Sequence, residues 1–177
     1  DHAVVVGGGV VGQSETVRGE GDGQVALRVL GDPLLDLDAL AWEPGQIAVP
    51  RDPALAAADV AAFCEGHGAW IIEGCYADLI RPALAHRPLL LFLEPGAETR
   101  LAHCRARPWE PHKYASKADQ DARLAFLLDW VRAYYTRDGD LSLAAHQALF
   151  DTYEGPKQKL TAPPDGARLS ELARTRG

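Results

Sequence analysis

A short run of β-branched residues that ends in glycines constrains this chain more than any other feature. Ala3-Val4-Val5-Val6 is followed by Gly7-Gly8-Gly9-Val10-Val11-Gly12-Gln13-Ser14. A buried parallel strand is typically a continuous apolar run, and glycines after it allow the backbone to approach a ligand closely. The pattern predicts a first strand that runs into an anion-binding turn.

This glycine segment matches two phosphate-binding templates. As Gly-x-x-x-x-Gly-x-Ser, Gly7, Gly12 and Ser14 form a P-loop whose amide groups surround a phosphate at a helix N-terminus. As Gly-x-Gly-x-x-Gly, Gly7, Gly9 and Gly12 form the dinucleotide fingerprint of a Rossmann unit. A glycine turn without a ligand is the third interpretation that the segment leaves open.

The chain departs from both templates. Gln13 stands where a P-loop has lysine, and Glu15 adds a negative charge close to the expected phosphates. Loss of the ammonium group could slow phosphoryl transfer by about 10²–10³-fold. The Rossmann template requires an acid about 20 residues further on, which Asp32 supplies. However, three glycines at positions 19, 21 and 23 would each cost the intervening helix about 1 kcal/mol relative to alanine.

Strand patterns alternate with helix patterns along the rest of the chain. Apolar runs predict strands over residues 34–38, 70–72 and 89–93, with 159–161 as a further strand. Asp52-Pro53, Ser116 and Ser142 carry N-terminal helix signals, and residues 97–105 form another predicted helix. The alternation predicts an α/β fold, with a parallel sheet of about five strands and helices on both faces, in a single domain over residues 1–177.

Acidic residues follow two of these predicted strands. Asp36 and Asp38 alternate, so both carboxylates can point to one side of a strand end, and Glu73-Gly74 ends the next strand. Kinase chemistry requires one acid near Mg²⁺ and another that accepts the proton of the attacking hydroxyl. Solvated acids at a turn and an ordinary strand end are the alternative interpretations.

Basic and aromatic residues are interleaved between two of the predicted helices. The potentially cationic side chains are Arg105, Arg107, His112, Lys113 and Lys117, and Trp109 and Tyr114 lie among them. A mobile lid that closes over phosphates has this composition, as does a solvated basic loop.

Composition limits the remaining possibilities. The net charge of −7 argues against a broad nucleic-acid-binding surface, and we expect no membrane association because the apolar runs are short. The three cysteines have no metal-ligand spacing, which predicts buried free thiols. These features are typical of a soluble, cytoplasmic protein whose partner is a small molecule.

The order of the segments resembles the branch of the P-loop kinase superfamily that contains shikimate kinase, adenylate kinase and gluconate kinase. Within it, the chain looks most like small bacterial proteins described as AAA-family ATPases or as shikimate-kinase-like. The resemblance rests on residues 4–14, 35–44, 70–76 and 107–114, and it extends to residues 130–137 and 155–157. It implies a three-layer P-loop fold with a lid over residues 105–118.

The resemblance also implies a function and a set of site residues. The function is ATP- and Mg²⁺-dependent phosphoryl transfer to a small hydroxylated metabolite or nucleotide, with Gln13 impairing it. A nucleotide-binding protein without catalysis and a dinucleotide-dependent oxidoreductase are the alternatives. The implied nucleotide-binding residues are Gly7, Gly9, Gly12, Gln13, Ser14, Glu15 and Thr16, with Ser14 and Asp36 near the metal. The implied acceptor-binding residues are Asp36, Asp38, Glu73, Gly74, Tyr76 and Arg81, and the implied catalytic residues are Asp38 and Arg107. From its place in the basic segment, we add Lys113 as a catalytic residue that would partly replace the missing lysine.

Overall fold

The computed structural model describes residues 2–7, 32–44, 49–109, 115–162, 164–165, 167–168 and 171–172. The described strands are β1 (His2–Gly7), β2 (Leu34–Asp36), β3 (Trp70–Gly74), β4 (Leu89–Leu93) and β5 (Lys157–Leu160). Within these residues they pair in the order β2-β3-β1-β4-β5, and every neighbouring pair is parallel. The α/β class with parallel strands is therefore confirmed.

The described segments contain six helices. They are α1 (Asp38–Ala41), α2 (Pro53–Gly66), α3 (Ala77–Leu84), α4 (Ala97–Arg105), α5 (Lys117–Ala133) and α6 (Leu143–Thr152). The predicted N-caps of three helices are confirmed. Before α2, the Asp52 carboxylate accepts a hydrogen bond from the Ala54 amide at 2.8 Å. The Ser116 and Ser142 hydroxyls each accept a hydrogen bond from the amide three residues further along the chain, at 3.1 Å. These short-range bonds satisfy amides that have no partner within the helix, which fixes where each helix begins.

The core lies mainly between one face of the sheet and three helices. Trp70, Ile72, Leu90 and Phe92 project alternately from β3 and β4 into a cluster with residues of α2, α3 and α6. On the opposite face, the intervening strand residues pack with apolar side chains at positions 34, 160 and 172. A smaller cluster joins α4 to α5. The edge strand β5 carries exposed Lys157 and Lys159, which discourage pairing with a further strand.

The segment after β2 differs from its prediction. The strand ends at Asp36, Leu37 forms a turn, and Asp38 begins α1. Oδ1 of Asp36 accepts the amide of Asp38 at 2.9 Å. The prediction that Asp36 and Asp38 alternate on one strand is wrong, because an aspartate carboxylate that binds a nearby amide competes with strand pairing.

The described residues also bear on two other expectations, which concern the cysteines and membrane-spanning segments. All three cysteines, Cys64, Cys75 and Cys104, are free and buried, as predicted. No helix in the described ranges has both the length and the apolar character that a membrane span requires.

Candidate functional site

The carboxyl ends of the strands place acidic residues along one edge of the sheet. In a parallel sheet all strands end at the same edge, and here β1 is the central strand. Asp36 aligns with Glu73, and Glu73 aligns with Val5 of β1. Aligned residues on neighbouring strands project to the same face. Asp36 and Glu73 therefore project to one face, beside the strand that leads into the glycine segment.

Asp38, which follows β2, is hydrogen-bonded by a residue that follows the neighbouring strand β3. The Tyr76 hydroxyl donates to Oδ1 of Asp38 at 2.7 Å, and Nε1 of Trp42 donates to the Tyr76 oxygen at 3.1 Å. Burial raises the pKa of Tyr76 above its usual range, and the nearby Asp38 charge raises it further. Tyr76 thus stays protonated and acts as the donor, and this bond orients the Asp38 carboxylate.

Gly74 is required by the close approach of Leu37. The Leu37 amide donates to the Glu73 carbonyl at 2.9 Å, which draws the turn after β2 against the end of β3. A Cβ on Gly74 would lie 2.7 Å from the Leu37 Cβ, and Gly74 has a φ of +154°. This packing gives Gly74 a structural role at the position where the sequence predicts acceptor binding.

A buried polar chain lies beyond β4. Nη2 of Arg100 donates to Oε2 of Glu94 at 2.7 Å, and Tyr135 donates to Oε1 of Glu94 at 2.8 Å. The Arg100 guanidinium lies over the Tyr134 ring, 4.2 Å from its centroid. The Tyr134 hydroxyl lies 2.9 Å from Nδ1 of His146. Nε2 of His146 lies 2.6 Å from the Cys75 carbonyl oxygen, so the chain joins the residues that follow β4 to those that follow β3.

A second cation lies close to the end of β3. The Arg137 guanidinium stacks on Trp130, 3.8 Å from the ring centroid, and donates to the Trp130 carbonyl. Burial lowers the pKa of Arg137, and the nearby Cys75 and Tyr134 partly oppose that shift. Nε and Nη1 of Arg137 are buried without a hydrogen-bond partner among the described residues.

One predicted site residue, Arg81, and one cation of the predicted lid, Lys117, make contacts away from the acidic residues described above. Nε of Arg81 donates to exposed Asp78 at 3.2 Å on α3. Arg81 also lines a shallow groove with Arg87 and Tyr153, which lie near the start of β4 rather than at the carboxyl edge. Nζ of Lys117 donates to Asp121 within α5 at 2.9 Å, so Lys117 takes part in an exposed ion pair.

Of the remaining predicted site residues, two are described and the others lie outside the described ranges. Gly7 is described as the last residue of β1, and Arg107 lies half-buried after α4. The predicted residues that fall outside the described ranges are Gly9, Gly12, Gln13, Ser14, Glu15, Thr16 and Lys113. In the described part of the chain, no three histidine, cysteine or acidic residues are grouped closely enough to hold a metal ion.

Sequence reasoning missed the buried chain and the indole that supports Tyr76. Glu94, Arg100, Tyr134 and His146 come from four separate segments, and no local motif connects them. One signal was present for Glu94, because it directly follows the buried strand β4, much as Glu73 lies at the end of β3. Comparisons with models of protein families, with curated proteins and with solved structures find no match for this chain.

Proposed function

We propose that this chain binds ATP at the carboxyl edge of the sheet and transfers a phosphoryl group to the hydroxyl of a small metabolite or nucleotide. One observation carries the proposal. The glycine segment follows the central strand β1 in the sequence, and β1 ends at the same edge where Asp36 ends β2, Asp38 begins α1 and Glu73 precedes the last residue of β3. A phosphate cradle, acidic residues near a metal and a proton acceptor are the parts that phosphoryl transfer requires. The three-layer P-loop arrangement and the lid over residues 105–118 belong to this proposal.

The strand order supports this location. The chain leaves β1 toward β2 on one side of the sheet, and it leaves β4 toward β5 on the other side. In open α/β sheets, ligands bind outside the carboxyl ends of strands where the connections diverge in this way. The divergence lies between β1 and β4, so the carboxyl end of β1, at Gly7, borders that crevice.

The proposed role of Asp38 differs from that of the other two acidic side chains. Asp38 accepts the proton of the acceptor hydroxyl, and Tyr76 holds its carboxylate in place at 2.7 Å. Asp36 and Glu73 supply carboxylates, which are the ligands that Mg²⁺ prefers. Bound Mg²⁺ would offset the negative charge of the phosphates. Arg107 and Lys113 are the cations proposed for the transferred group.

The strand order also argues against the dinucleotide alternative. In the Rossmann order the second strand lies beside the first. Here β1 pairs with β3 and β4, and β2 pairs with β3. The strand order of this chain therefore differs from the one in which the dinucleotide fingerprint, matched here by Gly7, Gly9 and Gly12, occurs.

The test is Mg-ATP binding by calorimetry, together with ADP release in the presence of shikimate, gluconate or AMP. We expect binding by the natural chain and a turnover that rises by about 10²–10³-fold in Gln13→Lys. Gln24→Lys adds the same charge outside the motif and should leave turnover unchanged. Absence of ATP binding by both the natural chain and Gln13→Lys would contradict the proposal.

Gln13 and Glu15 favour one second candidate, a nucleotide-binding protein without catalysis. A lysine at position 13 would contact the terminal phosphates, and a glutamate at position 15 would repel them. This candidate predicts that the natural chain binds Mg-ATP without releasing ADP, and that Gln13→Lys gains turnover. Detectable turnover by the natural chain would exclude it.

A further inference from the structure

His146 makes two hydrogen bonds whose directions can be assigned. Its ring is 1% exposed, with Nε2 2.6 Å from the Cys75 oxygen and Nδ1 2.9 Å from the Tyr134 oxygen. A carbonyl oxygen only accepts, so Nε2 carries the proton. Burial lowers the pKa of His146, which keeps the ring neutral. Nδ1 therefore accepts from the Tyr134 hydroxyl, and this bond selects the tautomer that donates to Cys75.

The Cys75 carbonyl belongs to the short segment that carries Tyr76. His146 holds this segment at residue 75, and the Asp140 carbonyl accepts the amide of Ala77 at 3.3 Å. Both contacts come from the α5–α6 region, on either side of Tyr76. The Tyr76 hydroxyl in turn donates to Asp38. A movement of the Cys75 carbonyl would displace the donor that orients the Asp38 carboxylate.

We propose that His146 is a positioning residue, which fixes Asp38 through the Cys75 carbonyl and Tyr76. The inference rests on the proposed function, in which Asp38 takes the acceptor proton. In that step the acceptor oxygen bonds to the γ-phosphorus as the bond from that phosphorus to the bridging oxygen breaks. ADP leaves with the electron pair of the broken bond, and the hydroxyl proton passes to Asp38.

Three variants separate positioning from general stability. His146→Leu removes the donor to Cys75, whereas His146→Gln keeps an N–H group that can reach the same carbonyl. Thr152→Val is the matched control, because Thr152 lies on the same helix and its hydroxyl donates to the Ala148 carbonyl at 2.8 Å. It removes the side-chain hydrogen bonds of one residue of α6 without altering the contact to Cys75.

The first readout does not depend on activity. The Trp42 indole N–H donates to the Tyr76 oxygen at 3.1 Å, so its proton resonance reports where Tyr76 lies. Comparison with Trp42→Phe assigns that resonance. We expect it to move in His146→Leu and to keep its natural position in His146→Gln and Thr152→Val. An unmoved resonance in folded His146→Leu overturns the inference.

The second readout is ADP release from Mg-ATP with water as the acceptor. We expect His146→Leu to lower kcat by about 10–100-fold while KM changes by less than about 3-fold, because the lost contact orients a reacting group. In an Asp38→Asn background the same change should lower kcat by less than about 3-fold, since both changes act through one carboxylate. An equal loss in both backgrounds contradicts positioning through Asp38.

The two readouts separate failure of this inference from failure of the proposed function. If the natural chain binds no Mg-ATP, the proposed function fails, and the indole resonance alone decides whether His146 positions Tyr76. If His146→Leu does not fold, Tyr134→Phe takes its place, because it removes the hydroxyl that selects the His146 tautomer. A moved Trp42 resonance in Tyr134→Phe supports the inference, and an unmoved one overturns it.

Discussion

Two polar clusters lie at the same edge of this sheet, and they differ in exposure. The Asp38 cluster consists of Asp36, Asp38, Trp42 and Tyr76, of which Asp36, Asp38 and Trp42 are half-buried. The Glu94 chain consists of Glu94, Arg100, Tyr134 and His146, and its last three members are at most 4% exposed. Three of the four residues of the first cluster are therefore partly exposed, whereas in the second cluster only Glu94 is.

This difference in exposure indicates different roles for the two clusters. In the Glu94 chain, Oε1 accepts from Gly96 and Tyr135, and Oε2 accepts from Arg100. Buried charges are tolerated when they are paired and hydrogen-bonded in this way. A paired and mostly buried network of this kind can orient other groups. The Asp38 cluster is accordingly where we place the chemistry.

The largest expected effect is the loss of activity when the Asp38 carboxylate is removed. Asp38→Asn keeps the size of the side chain and an oxygen for Tyr76, but it removes the proton acceptor. We expect kcat for ADP release to fall by about 10²–10⁴-fold, the range that general base catalysis contributes. Asp121→Asn, in the exposed ion pair of α5, is the control and should retain full activity. Retention of activity by Asp38→Asn would remove Asp38 from the catalytic role.

The next effect compares a buried ion pair with an exposed one of equal length. The Arg100–Glu94 and Arg132–Asp129 pairs both measure 2.7 Å, and the arginine side chains are 5% and 52% exposed. We expect Arg100→Met to lower the free energy of unfolding by about 3–5 kcal/mol, because it leaves Glu94 buried without its cation. Arg132→Met should lower it by less than about 1 kcal/mol. Urea denaturation measures both, and equal losses would show that burial does not distinguish the two pairs.

Gly74→Ala tests the contact between the two strand ends. The new Cβ would lie 2.7 Å from the Leu37 Cβ, and the backbone at φ +154° disfavours a side chain. We expect a loss of about 1–3 kcal/mol in the free energy of unfolding, measured by urea denaturation. Gly66→Ala is the control, because nothing lies within 4 Å of the added atom. A Gly74→Ala variant as stable as Gly66→Ala would show that the approach of Leu37 does not require glycine.

The smallest effect is a pH dependence of stability that originates in the Glu94 chain. Burial lowers the pKa of His146 in the folded state, with Arg100 adding to the shift and Asp140 opposing it. Between the unfolded pKa of about 6.5 and the lower folded value, the unfolded chain binds one more proton, so stability falls as pH falls. We expect denaturation at pH 8 and pH 5 to show a smaller loss in His146→Gln than in the natural chain. His103 is exposed, so His103→Gln should lose as much free energy of unfolding between pH 8 and pH 5 as the natural chain does. A His146→Gln variant whose loss equals that of the natural chain would contradict a neutral His146.

Local features of this fold were predictable, and long-range ones were not. Asp52, Ser116 and Ser142 cap helices through amides two or three residues away, so the sequence contains both partners of each bond side by side. The bond of Tyr76 to Asp38 spans 38 residues and that of His146 to Cys75 spans 71, so only the tertiary structure brings these partners together. The error at Asp38 was also local in origin, because the Asp36 carboxylate ends the strand by binding an amide.

The most direct test of the central claim is a titration of the ¹⁵N-labelled chain with Mg-ATP, followed through its backbone amide resonances. The account predicts the largest shifts at Gly7, Glu73 and the glycines that follow β1, with no change at Arg87 and Thr152 in the groove near the start of β4. Shifts confined to Arg87 and Thr152, or no shift at millimolar Mg-ATP, would contradict a phosphate site at the carboxyl edge.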